Sequence, residues 1–101
     1  MTREVSVGKV RIGGSNPLVL VGGPCAIEDE AHALMLAERL ARVAGEAKVP
    51  FIYKSSYDKA NRSSVNAYRG PGLKDGLRIL QRVREAVGCP VLSDVHDVSE
   101  V

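Results

Sequence analysis

The chain has no tryptophan, one phenylalanine and three tyrosines in 101 residues. It also has no apolar run near the ~20 residues that a membrane-crossing helix requires, which excludes that class of protein. An apolar signal core is missing too: Met1-Thr2-Arg3-Glu4 leads directly into strand-like alternation, and a cytoplasmic protein is expected. Cysteine is scarce. Cys25 and Cys89 fit no short metal or redox spacing and read as reduced thiols of a cytoplasmic protein. A net charge of +2 and a pI near 8.7 are too mild to argue for nucleic acid. What remains is ordinary globular composition, 45% hydrophobic and 26% charged, enough for one domain.

The charge that is present is unevenly spread. Between residues 54 and 69, Lys54, Lys59, Arg62 and Arg69 face only Asp58, a local charge of +3. The rest of the chain therefore sums to −1. Hydroxyl and amide side chains fill the same stretch. Charge together with hydrogen-bond donors is the make-up of an anion-holding loop, although a solvated basic loop has the same composition.

Val5, Val7, Val10 and Ile12 alternate with polar or glycine positions around Gly8-Lys9, which predicts a two-stranded ribbon over residues 1–17. Leu18-Val19-Leu20-Val21 is a continuous apolar run, expected to be a strand buried on both faces. Glu28, Asp29 and Glu30 open a helix whose predicted apolar face is Leu36, Leu40, Val43, Ala44 and Ala47, and Pro50 forbids its continuation. Phe51-Ile52-Tyr53 is the next strand, ending at Lys54. A second helix is marked by Leu73, Leu77, Leu80, Val83 and Val87 and closed by Gly88, with Gly76 a local cost of about 1 kcal/mol. Pro90-Val91-Leu92 opens a third strand. Asp94 and His96, two apart, are expected on one side of it. Asp97 to Val101 reads as the start of a further helix.

Strands near 18, 51 and 90 separated by helices suit right-handed βαβ units. Each strand ends in polar residues: Cys25, then Lys54 and Ser55, then Asp94 and His96. An α/β fold of (β/α)8 TIM-barrel type collects its active site on that face, and eight units need about 250 residues. Residues 18–101 would supply three such units, incomplete.

The run Lys54-Ser55-Ser56-Tyr57-Asp58-Lys59-Ala60-Asn61-Arg62-Ser63-Ser64, followed by Tyr68-Arg69-Gly70-Pro71-Gly72, resembles the sugar-phosphate loop of the 3-deoxy-D-manno-octulosonate 8-phosphate (KDO8P) synthase family. Gly22-Gly23-Pro24-Cys25-Ala26-Ile27-Glu28 and Ser93-Asp94-Val95-His96 match in the same order. The resemblance covers about Val19 to Val98 and implies a TIM barrel that condenses phosphoenolpyruvate with arabinose 5-phosphate. It implies that Arg62 and Ser63, a guanidinium fork beside a hydroxyl, bind the sugar phosphate, with Asn61 and Lys59 further along the sugar. Lys54 and Lys59 would meet phosphoenolpyruvate, Ser55 would bind substrate, Asp94 and His96 would lie beside the sugar, and Arg69 either assists phosphate binding or pins the loop. The candidate catalytic residues are Lys54, Lys59, Asp94 and His96. Cys25 matches the metal-dependent branch, which implies a divalent ion (Zn, Fe, Mn, Co or Cd) with further ligands beyond Val101, and the family is tetrameric. His32, on a helix with no polar constellation in view, is expected to be a surface or partly buried residue.

Three rivals remain at this point. The related synthase that takes erythrose 4-phosphate carries a Lys-Pro-Arg-Thr type loop, and Lys59-Ala60-Asn61-Arg62-Ser63-Ser64 argues against it. A nucleic-acid module would use Phe51, Tyr53, Tyr57 and Tyr68 among the cations to stack bases, but no basic patch extends past the loop. The third is a segment of such an enzyme that is inactive alone.

Overall fold

The computed structural model describes residues 2–59 and 68–101. β1 (Val5–Val7) and β2 (Val10–Ile12) pair antiparallel across Gly8, whose φ of 57° closes the turn. β3 (Leu20–Gly22), β4 (Phe51–Lys54) and β5 (Val91–Leu92) form a parallel sheet in the order β3-β4-β5. The helices α1 (Glu30–Glu46) and α2 (Leu73–Val87) are the crossovers between them. This is a mixed α/β architecture made of two successive βαβ units with an N-terminal ribbon.

Alternation along β4 divides the molecule. Phe51 and Tyr53 join the core between sheet and helices, with Ile27, Ala33, Ala37, Ala44, Ile79, Leu80 and Val83. Ile52 and Lys54 point to the opposite face, where their register partners Val21 and Leu92 are 46% and 38% exposed. That open face corrects the expectation for the first strand. β3 starts at Leu20 rather than Leu18 and pairs with β4 alone among the described residues, and with Leu20 37% and Val21 46% exposed it is not buried on both faces.

The helix faces also differ from expectation. α1 turns Ala33, Ala37 and Ala44 inward, with Leu34, Leu40 and Ala41 beside them, while Val43 is 60% exposed. Alanines let α1 lie close to its neighbours, and a pattern weighted toward large side chains overlooks that. On α2, Leu77 is half-exposed and Gly76 is buried instead. A Cβ on Gly76 would stand 2.3 Å from Tyr57 Cβ, so the glycine that lowers helix propensity is what admits Tyr57 to the core. Gly88 closes α2 in the left-handed conformation, φ 82°. Where the start of a further helix was expected, Val98–Glu100 form a 3-10 turn capped by the Asp97 side chain.

The ribbon lies at the N-terminal ends of the parallel strands. Gly8 approaches Pro90, and Lys9 and Val10 line a cavity with Phe51, Gly88 and Cys89. The opposite, C-terminal ends are left to the polar residues.

Candidate functional site at the strand ends

Beyond β3 the chain stays so close to β4 that only glycine fits at position 23, where a Cβ would come within 1.9 Å of the Lys54 carbonyl oxygen. The close approach continues through a parallel bridge between Ala26 and Ser56 and a 3.0 Å bond from the Ile27 amide to the Ser56 carbonyl. The Ser55 hydroxyl donates to the Pro24 carbonyl at 2.7 Å. Ser55, expected to touch substrate, is thus fully buried, and its hydroxyl holds the Gly-Gly-Pro-Cys turn against β4. Cys25 sits exposed at this turn and forms no disulfide; Cys89 is buried at the other end of the sheet, where burial pushes its thiol pKa up.

Asp94 and His96 lie past the end of β5, which is only two residues long, so the pleat does not set their direction. Hydrogen bonds set it instead. The Ser56 hydroxyl donates to Asp94 Oδ1 at 2.5 Å, and His96 Nε2 lies 3.8 Å from the other carboxylate oxygen. The Ser56 bond, aided by the Lys54 and Lys59 cations, holds the Asp94 carboxyl below its ordinary range against a smaller opposing effect of burial. His96 Nε2 also meets the Asp58 carbonyl, and its ring lies 5.9 Å from that of Tyr57. Ser56 and His96 therefore meet at the Asp94 carboxylate beyond the ends of β4 and β5, with Lys54 closing β4 and Lys59 at the start of the loop that follows.

The basic loop has an ordered stem. The Lys59 amide donates to Arg69 O at 2.7 Å, and the Gly72 amide donates to Tyr57 O at 2.9 Å. Gly70, at φ 119°, would clash with Tyr57 O if it carried a Cβ. Arg69 Nε bonds Asp58 Oδ1 at 2.9 Å, pinning the stem. Tyr68 donates to the carbonyls of Ile27 and Glu28, tying the loop's exit to the turn before α1. Asn61, Arg62 and Ser63 lie outside the described residues.

Four residues escaped the sequence reading. Ser56 was hidden inside the basic run as one hydroxyl among several. Tyr57 donates to Glu100, which pushes its pKa up to about 12, with burial as the next cause. These two are 43 positions apart, and no periodicity links them. His32 is not isolated: its Nε2 lies 3.1 Å from Glu28 Oε2, an i,i+4 pair that the spacing could have revealed.

Residues 2–101 match the DAHP synthetase I family. The chain belongs to that family. Over its whole length it is 58% identical to the 2-dehydro-3-deoxyphosphooctonate aldolase of Geotalea daltonii, 56% to that of Geotalea uraniireducens and 54% to that of Geobacter sulfurreducens. It spans 37% of the length of each of these relatives, and 2-dehydro-3-deoxyphosphooctonate aldolase is another name for the KDO8P synthases that the motifs resemble.

Proposed function

We propose that this chain is the N-terminal part of a KDO8P synthase. The enzyme would condense phosphoenolpyruvate with arabinose 5-phosphate and release inorganic phosphate on the way to 3-deoxy-D-manno-octulosonate and lipopolysaccharide. The observation that carries the reading is the meeting of Ser56, Asp94 and His96 beyond the strand ends, on the side where Lys54 closes β4 and the Lys59 loop begins. The complete fold is a (β/α)8 barrel, with the open face of Ile52 and Lys54 turned to the lumen and the ribbon under its floor. The working assembly is a cytoplasmic homotetramer that engages neither nucleic acid nor membrane.

Both substrates are anions, and the site first has to bring them together against their repulsion. Lys54, on the lumen side of β4, offsets the phosphoenolpyruvate charge. Lys59, at the start of the loop, stands between the two substrates, and Arg62 and Ser63 take the sugar phosphate with Asn61 on the sugar. Arg69 acts through the stem, where Asp58 already holds it. Carbon 3 of the enol attacks the aldehyde, water adds at carbon 2, and phosphate leaves. Asp94, ionised beside the cations, and His96 lie where hydroxyls of the sugar would be held.

A divalent ion fits these residues only in part. Cys25 supplies one exposed thiolate donor on the site face, and the described residues contain no group of three or more His, Cys, Asp or Glu able to hold a metal.

The family name covers the rival that uses erythrose 4-phosphate. The Lys59-Ala60-Asn61-Arg62-Ser63-Ser64 loop and the names of the relatives favour the five-carbon sugar. Phosphate release should be measured with each sugar phosphate in turn, using the protein that carries this chain. Release with arabinose 5-phosphate and not with erythrose 4-phosphate supports the reading; the reverse preference refutes it.

A further inference from the structure

Glu100 stands outside every motif that points to the reaction, yet one of its carboxylate oxygens accepts two bonds. Oε1 takes the Tyr57 hydroxyl and, at 3.2 Å, the backbone amide of His96. Tyr57 is anchored: its ring is 1% exposed in the core, against Gly76 of α2, and its carbonyl receives the Gly72 amide. Glu100 is carried by the 3-10 turn Val98–Glu100.

We infer that Tyr57 and Glu100 are positioning residues for His96 and Asp94: the Glu100 carboxylate straps the loop after β5 to the rigid end of β4. β5 contributes only two residues, so the strand cannot aim Asp94 and His96. Ser56 fixes Asp94 from β4, and the Tyr57–Glu100 strap fixes the backbone of His96 from the same strand end. Both side chains are thus referenced to the element that carries Lys54 and the stem of the basic loop. Without the strap His96 keeps its bond to Asp58 O, but its backbone loses the acceptor that places it. The inference rests on the proposed reaction, because it gives His96 and Asp94 something to be positioned for.

The test uses Glu100→Ala, Glu100→Gln, Tyr57→Phe and His96→Ala in the protein that carries this chain, with kcat, KM and melting temperature measured for each. Glu100→Ala should lower kcat by about ten- to a hundredfold, the order expected of a misplacement near 1 Å, with KM for phosphoenolpyruvate nearly unchanged. Glu100→Gln keeps an oxygen that accepts both bonds and should restore most of the turnover; Tyr57→Phe removes one bond and should fall between. Wild-type kcat in Glu100→Ala, with His96→Ala impaired, overturns the strap and leaves the reaction standing. Wild-type kcat in His96→Ala overturns both the strap and the assigned role of His96. Should Glu100→Ala fail to fold, Tyr57→Phe decides, and an unchanged kcat in that variant overturns the inference.

Discussion

Ser56 and Asp94, 38 positions apart, share a 2.5 Å hydrogen bond that joins the ends of two parallel strands. The bond lowers the Asp94 pKa and so favours its ionised form, and the charges of Lys54 and Lys59 act in the same direction. Because the folded pKa lies below the ordinary 3.8, the linked stability is fully present above the unfolded value. It is lost as pH falls through the folded pKa. Ser56→Ala should raise the Asp94 pKa toward 3.8 and move acid unfolding to higher pH. Carboxyl-carbon NMR titration of both proteins checks this, and an unchanged Asp94 midpoint would contradict it.

Gly76→Ala should destabilise the fold although it improves helix propensity. Propensity alone favours alanine by about 1 kcal/mol, whereas overpacking typically costs about 1–3 kcal/mol. With Tyr57 Cβ 2.3 Å from the added methyl, the steric effect should win. Urea unfolding measures the balance, and a stabilised variant would show that Tyr57 is free to move away.

Arg62→Ala should raise KM for arabinose 5-phosphate far more than KM for phosphoenolpyruvate. Losing a charge-assisted phosphate contact costs about 1.5–3 kcal/mol. Steady-state kinetics with each substrate varied in turn separates the two, and equal losses would mean that the loop serves both anions alike.

Cys25→Asn should reduce divalent metal content, and affinity in the wild type should weaken as pH falls because a thiolate ligand must lose its proton. Elemental analysis after dialysis against a weak chelator reports the content directly. Equal metal in both proteins would remove Cys25 from the ligand set.

The strands were legible because their apolar runs end at Gly22-Gly23-Pro24, Lys54 and Ser93, and the end of α2 because only glycine suits the φ of 82° at Gly88. The inward face of α1 was legible only in part: Leu40 and Ala44 were in the expected set, whereas Ala33 and Ala37 were passed over for the larger Leu36 and Val43. Asp94 and His96 were legible as candidates but not in their placement, since a pleat rule has no purchase beyond a two-residue strand. Tyr57 with Glu100 and Ser56 with Asp94 are tertiary pairs, and nothing local announces them.

The most direct measurement is a crystal structure of the protein carrying this chain with phosphoenolpyruvate bound. The account places the ligand at the C-terminal end of β4, with its anionic groups against Lys54 and Lys59 and with Asp94 still bonded to Ser56. Phosphoenolpyruvate bound elsewhere, with Lys54 and Lys59 making no contact to it, would contradict the account.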